Sequence, residues 1–109
     1  MGLLGSLFGQ GIDAHMETAR ATEGAVVLDV RTPDEFYEGH IKGARSFPLA
    51  GIQSILTRIP QRETPLFVYC LSGARSAQAC RVLDQLGYAN VTDMGGITRW
   101  SGKLVAGRE

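Results

Sequence analysis

Short apolar runs alternate with helix-like segments along this 109-residue chain, and this alternation restricts its fold more than any other feature. The runs are rich in β-branched and aromatic residues and are apolar on both faces. That pattern is typical of strands covered on both sides. Four such runs are predicted as strands, at residues 25–30, 44–47, 66–70 and 91–94.

Helix signals occupy the segments between these runs. Thr32, Pro33 and Glu35 match a capping box with proline at the first helical position, and Gly39 is placed to end that helix. Apolar residues at helical spacing predict three further helices. These helices cover residues 12–22, 52–59 and 76–86, and a final turn or helix carries Trp100.

Buried strands that alternate with helices predict an open α/β domain with a mostly parallel sheet and helices on both faces. In such sheets, ligands bind beyond the carboxyl ends of the strands. Cys70 is the last residue of the third predicted strand, so it lies where a ligand is expected.

Composition excludes several classes of function. Lys+Arg and Asp+Glu both number 11, which removes a general electrostatic argument for nucleic acid or an acidic membrane surface. No apolar run is long enough to span a bilayer, and no cysteine, histidine or carboxylate spacing matches a metal site.

The cysteine count and the first residues bear on location. Only Cys70 and Cys80 are present, and the N-terminus lacks the features of a signal peptide, so we expect a cytoplasmic protein with reduced thiols. Residues 1–10 are read as a short apolar leader in front of a single domain. Its Gly2 fits a loose acylation pattern only formally.

The segment "CLSGARS" after the third strand is built to hold an anion. Gly73 permits backbone conformations closed to other residues, and the helix beginning near Arg75 and Ser76 offers free N–H groups. We expect the loop to lower the pKa of Cys70 and to make it a nucleophile. The alternative for Cys70 is a core cysteine at a strand end. For Cys80, which lies on the apolar stripe of its predicted helix, a core position is the favoured interpretation.

Asp29 and Arg31 close the first predicted strand, at the same edge of the sheet as Cys70. Arg31 has the charge to meet an anionic donor, whereas an ion pair between the two residues would pin the strand end. The second, structural role is favoured, because ion pairs at sheet ends usually hold loops.

Several motifs in order resemble the rhodanese homology domain, over about Ala25 to Trp100. They are Asp-Val-Arg at 29–31, Glu-Phe at 35–36, Gly-His-Ile at 39–41, the Cys-x-x-Gly-x-Arg-Ser loop, Leu-Gly-Tyr at 86–88, Gly-Gly at 95–96 and Trp100. The resemblance is to small single-domain members, since no second copy is present. It implies a rhodanese-like fold with a five-stranded sheet, one strand more than the runs above.

The resemblance also implies a sulfurtransferase without a cofactor. Cys70 would take sulfur from a small anionic donor such as thiosulfate, and a thiol or cyanide would accept it. A thioredoxin-like or sulfur-carrier protein is a further candidate acceptor. The substrate would be held by Leu71, Ser72, Gly73, Ala74 and Arg75, with Ser76, Asp29 and Arg31 in supporting roles. Leu71 is expected to form an apolar lip at the rim.

Loop length separates this chemistry from that of related phosphatases. Those relatives place five residues between the cysteine and the arginine, whereas this chain has four, Leu71 to Ala74. One residue fewer removes up to about 3.5 Å of chain, which favours a loop sized for one sulfur atom over one sized for phosphate. A non-catalytic binding or redox-sensing module remains the alternative function.

Overall fold

The computed structural model describes residues 11–108, so the predicted leader at residues 1–10 lies outside the described residues. The helices are α1 (Ile12–Ala21), α2 (Pro33–Glu38), α3 (Ile55–Arg58) and α4 (Ala74–Gln85). The strands are β1 (Val26–Asp29), β2 (Arg45–Ser46), β3 (Leu66–Cys70) and β4 (Val91–Gly96). Two 3₁₀ segments, Leu49–Ser54 and Ile97–Arg99, complete the regular structure.

The four strands form one parallel sheet in the order β2-β1-β3-β4. The predicted α/β class and parallel sheet are confirmed, but the expectation of five strands is wrong for the described residues. After Gly96 the chain turns into 3₁₀ structure, and up to residue 108 it then forms one isolated antiparallel bridge, between His40 and Val105. That tail has no apolar run that would add a strand to the sheet.

Both faces of the sheet are covered. Side chains alternate along β3, so this strand contributes to a core on each face. Leu66, Val68 and Cys70 face a core shared with α3, α4 and the first 3₁₀ segment. Phe67 and Tyr69 face a second core shared with α1 and α2. All five residues of β3 are buried, so the strand that ends in Cys70 lies at the centre of the molecule.

The helix signals fix most boundaries correctly. The capping box of Thr32 and Glu35 is present, and Gly39 caps the end of α2. The predicted helix at 52–59 is not continuous: its first residues belong to the 3₁₀ segment that ends at Ser54, and the short α3 follows from Ile55. No helix within residues 11–108 has the length and apolar character needed to cross a membrane.

A buried tyrosine ties the end of α3 to the loop after α4. Tyr88 is 1% exposed, and its hydroxyl donates towards the carbonyl oxygens of Ile59 (2.6 Å) and Ile55 (3.1 Å). The Ile55 carbonyl also accepts from the Ile59 N–H, whereas the Ile59 carbonyl lies at the end of the helix, so the hydroxyl supplies the partner that this carbonyl lacks within the helix.

The Tyr88→Phe variant is expected to lose about 1–3 kcal/mol of unfolding free energy, because a buried carbonyl loses its donor. Tyr37→Phe is the matched control, since Tyr37 is 59% exposed and should change stability little. Urea unfolding followed by circular dichroism measures both. Equal stability of the two variants would contradict this role of Tyr88.

Candidate active site

The site is built where β3 meets α4. Cys70 ends β3, and α4 begins at Ala74, two residues earlier than the sequence predicts. Gly73 precedes the helix with φ 119°, a conformation that favours glycine. This early start places Ala74 and Arg75 in the first turn of the helix, so the N–H groups of that turn lie beside the Cys70 sulfur.

The sulfur of Cys70 accepts hydrogen bonds from the backbone. The Gly73 N–H lies 3.0 Å from Sγ, and the backbone N–H groups of Ser76 and Arg75 also favour the thiolate and so lower the pKa. Burial opposes ionisation of the thiol, but these bonds and the Ser76 side chain outweigh it. The pKa of Cys70 therefore lies below its ordinary value.

Ser76 is the one buried hydroxyl in contact with the thiol. The Cys70 thiol lies 3.4 Å from Ser76 Oγ, and the Ser76 hydroxyl donates to the Gly73 carbonyl at 3.1 Å. A hydroxyl proton rotates freely, so after ionisation the same group can donate to the sulfur. Ser76 thus joins the sulfur to the turn that holds it.

A bulge in β4 brings the last strand under the loop. The register with β3 shifts after Val68, and Gly95, with φ 88°, carries the chain past the shift. Gly96 then pairs with Cys70, and a Cβ built on Gly96 would lie 2.4 Å from the Leu71 carbonyl oxygen. No side chain larger than hydrogen fits there without moving the loop.

The Arg75 side chain pairs with Glu35 of α2. Its guanidinium forms two hydrogen bonds with the Glu35 carboxylate, at 2.7 and 3.0 Å. Glu35 Oε1 also accepts from the Thr32 N–H at 2.9 Å, so one carboxylate both caps α2 and anchors the loop. What Arg75 offers directly to Cys70 in this arrangement is its backbone N–H.

The Arg75 guanidinium lowers the pKa of Glu35 to about 2. Because this folded-state pKa is depressed, the pair contributes stability above pH 4.5, the ordinary value for glutamate. That contribution is lost as the pH falls from 4.5 towards 2. The pair is part-exposed, so the loss is about 1 kcal/mol or less.

Asp29 and Arg31 form a buried ion pair with an N–O distance of 2.7 Å. The Arg31 guanidinium also donates to the Gly39 carbonyl at 2.7 Å and lies over the Tyr69 ring. These contacts join the end of β1 to the end of α2. They stabilise the edge of the sheet that carries Cys70, and they leave the Arg31 guanidinium committed to Asp29 and Gly39.

The rim of the loop is exposed, whereas its floor is not. Leu71 is 41% exposed and Ser72 and Ala74 are also open to solvent, but Cys70 is only 1% exposed. A reactant must therefore approach the sulfur through the mouth of the loop.

The second thiol is unlike the first. Cys80 is half-buried on α4, and burial raises its pKa to about 12, so it stays protonated at neutral pH. Among residues 11–108, no group of three His, Cys, Asp or Glu side chains could hold a metal ion.

Three contributors to the site are not apparent as such in the sequence: Glu35, Gly96 and Thr98. The sequence identifies Glu35 as part of a capping box, but it does not show that Glu35 also pairs with Arg75, 40 residues away. The Thr98 N–H donates to the Leu71 carbonyl at 3.2 Å. The consecutive glycines at 95 and 96 are the one signal that indicates a close approach of backbone.

Family comparison identifies the class of protein. The model of the rhodanese-like domain matches residues 13–103, somewhat more than the span recognised from motifs. The chain belongs to the rhodanese-like domain family.

Named relatives support the same family. A protein of Allochromatium vinosum named sulfurtransferase is 41% identical over 81 residues, which cover 73% of this chain and 75% of that protein. Thiosulfate sulfurtransferase PspE of Escherichia coli is 35% identical, over 64% of this chain and 68% of its own length. The solved structure described as "rhodanese with anions from E. coli" superposes with a TM-score of 0.70 at 32% identity, covering 76% of this chain and 99% of that one.

The Ser76→Ala variant is expected to raise the pKa of Cys70, because the thiolate loses one donor. Alkylation by iodoacetamide should slow about fivefold at neutral pH, as expected for the loss of roughly 1 kcal/mol. Rates measured against pH report the change, and Cys80, with its pKa near 12, contributes little. Ser54→Ala is the control, since Ser54 makes no side-chain cap bond. An unchanged profile in Ser76→Ala would contradict the role of this hydroxyl.

The Gly96→Ala variant is expected to displace the Leu71–Ser72 backbone, because the new Cβ would lie 2.4 and 2.6 Å from its atoms. Overpacking of this kind costs about 1–3 kcal/mol, and the loop should hold the thiolate less well. Urea unfolding and the pH profile of alkylation measure the two effects. Gly51→Ala, where an added Cβ meets nothing within 4 Å, should change neither. Identical behaviour of the two variants would refute the packing argument.

Proposed function

We propose that the protein is a sulfurtransferase that carries sulfur as a persulfide on Cys70. Its relatives include proteins named sulfurtransferase and thiosulfate sulfurtransferase, which supports sulfur transfer at the level of the family. The observation that carries the proposal is a buried sulfur at the start of α4 that accepts a hydrogen bond from the Gly73 N–H at 3.0 Å, lies 3.4 Å from Ser76 Oγ and has a lowered pKa.

The proposed reaction has two displacement steps. The Cys70 thiolate attacks the outer sulfur of thiosulfate, the S–S bond of the donor breaks, and sulfite leaves with the bonding electrons. A thiolate or cyanide then attacks the outer sulfur of the persulfide, and Cys70 leaves as a thiolate. Sulfur enters and departs without net oxidation of the protein, so the cycle needs no cofactor.

The loop stabilises the anionic states of both steps. Backbone N–H groups at the start of α4 are fixed before the reaction, so they favour the thiolate and the persulfide anion at no cost of reorganisation. The Arg75 guanidinium attracts an anionic donor to the mouth, although Glu35 offsets part of its charge. The exposed Leu71 gives an acceptor protein an apolar contact at the same mouth.

The turn also favours sulfur over phosphate. Gly73 closes the loop so tightly that its N–H lies 3.0 Å from Sγ. A phosphate bound at the cysteine needs a wider ring of amides, which the four residues between Cys70 and Arg75 do not provide. We also propose a cytoplasmic location, where the free thiols of Cys70 and Cys80 stay reduced.

Intact mass measured after incubation with thiosulfate tests the proposal. The wild-type protein should gain the mass of one sulfur atom and lose it again on addition of cyanide. Cys70→Ser should gain nothing, whereas Cys80→Ser should behave as wild type, because Cys80 stays protonated. A wild-type mass unchanged by thiosulfate and by an organic persulfide would favour the non-catalytic binding or redox-sensing module instead.

A further inference from the structure

Three arginines line one cavity beside the edge strand of the sheet. Arg45 lies on β2, Arg58 ends α3, and Arg108 lies in the tail, and the cavity they share has a volume of about 420 Å³. All three residues are exposed. The chain as a whole has no net charge, so this cluster, here called the arginine edge, is a local excess of positive charge.

No acidic side chain among residues 11–108 forms an ion pair with the arginine edge. Ion pairs in residues 11–108 join Arg31 to Asp29 and Arg75 to Glu35, and neither includes an arginine of this cluster. Among the described residues, no acidic side chain lines the cavity. Asp34 lines the adjoining cavity together with Arg108, but no ion pair connects them.

Two of the guanidinium groups are held in place by a buried ring. Arg58 lies 3.9 Å and Arg45 5.4 Å from the centroid of Phe47. Stacking on an aromatic face leaves the N–H groups at the edge of a guanidinium free to donate. Arg58 makes one long bond, 3.5 Å, to the Ser46 carbonyl. Fixed guanidinium groups with unused donors match the geometry of carboxylates.

The cluster continues towards the other end of β2. A second cavity, of about 370 Å³, shares Gly43 and Arg45 with the first and is also lined by Arg20 and Lys42. The described residues that line this cavity include no acidic side chain either. The positive surface is therefore elongated, as suits an extended segment of a partner better than a small ion.

The arginine edge lies within reach of a partner that visits Cys70. Ser46, which lines the cavity, and Tyr69 both pair with Asp29, so they lie level on strands two apart. Two strand spacings therefore separate the backbones of Ser46 and Tyr69 by about 10 Å. A protein interface of ordinary size covers roughly 800 Å² on each partner, so one partner can contact both places.

We propose that the arginine edge binds an acidic segment of the protein whose thiol accepts sulfur from Cys70. This inference rests on the proposed function, and it assigns the partner by charge. The Cys70 sulfur is 1% exposed, so a protein thiol must be held at the mouth of the loop for transfer. Carboxylates on the arginine edge would supply that hold and raise the rate of encounter.

A pair of synthetic acceptor peptides tests the proposal. Both carry one cysteine, and about three residues beyond it one has a cluster of glutamates and the other a cluster of glutamines, because three extended residues span roughly 10 Å. Sulfur transfer from thiosulfate-loaded protein should have a kcat/KM about fivefold higher for the glutamate peptide, the sum of several weak exposed pairs. High salt should remove the difference.

Variants show which arginines cause the preference for the glutamate peptide. R45Q/R58Q/R108Q should bring the ratio of the two peptides to about one, whereas R81Q, which removes an exposed arginine of α4 outside both cavities, should keep it. If the triple variant does not fold, the single variant R108E should still reduce the ratio. A ratio near one in the wild type, or a ratio unchanged in both R45Q/R58Q/R108Q and R108E, overturns the proposal.

A binding measurement separates this inference from the proposed function. Fluorescence anisotropy of the same peptides, labelled and with the cysteine replaced by serine, needs no sulfur transfer. Tighter binding of the glutamate peptide to the wild type, lost in R45Q/R58Q/R108Q and kept in R81Q, supports binding of acidic segments at the arginine edge even where no persulfide forms. Equal affinities for the two peptides count against it whatever the activity.

Discussion

The hydrogen bonds between the first turn of α4 and the Cys70 sulfur are the interaction on which the site depends. They require α4 to begin at Ala74, directly after Gly73 with its positive φ. They also require β4 to lie close under the loop, which Gly96 alone permits. The parallel sheet supplies the remaining condition, because it sets β3 and β4 side by side with their carboxyl ends at one edge.

The parts of the fold that depend on local signals were predictable from the sequence. The capping box at Thr32 and the buried run ending in Cys70 both specify their own structure through neighbouring residues, and both lie where expected. The fifth strand was an error carried by the resemblance, since the apolar runs themselves indicated four. The division of the 52–59 helix between Ser54 and Ile55 was missed, because the apolar spacing of a 3₁₀ turn and an α-turn differs little.

The candidate site likewise has a part that the sequence predicts and a part that it does not. A nucleophile at a strand end, followed by a turn and a helix start, is a pattern within seven consecutive residues, and the sequence predicts its chemistry. The Glu35–Arg75 pair and the contact of Gly96 with Leu71 join segments distant in the chain. Only the sheet order and the bulge in β4 bring these residues together, so no spacing in the sequence shows them.

The position of β3 in the sheet has a consequence for how the sulfur moves. β3 pairs on both sides, with β1 and β4, and none of its residues is exposed. Amide hydrogens in such a strand exchange with solvent only when the whole protein unfolds. A destabilising change elsewhere therefore reduces the fraction of folded molecules. Each molecule that is folded keeps Cys70 at the same position at the end of β3. Adaptation of the site to different reactants therefore depends on the few residues of the exposed rim.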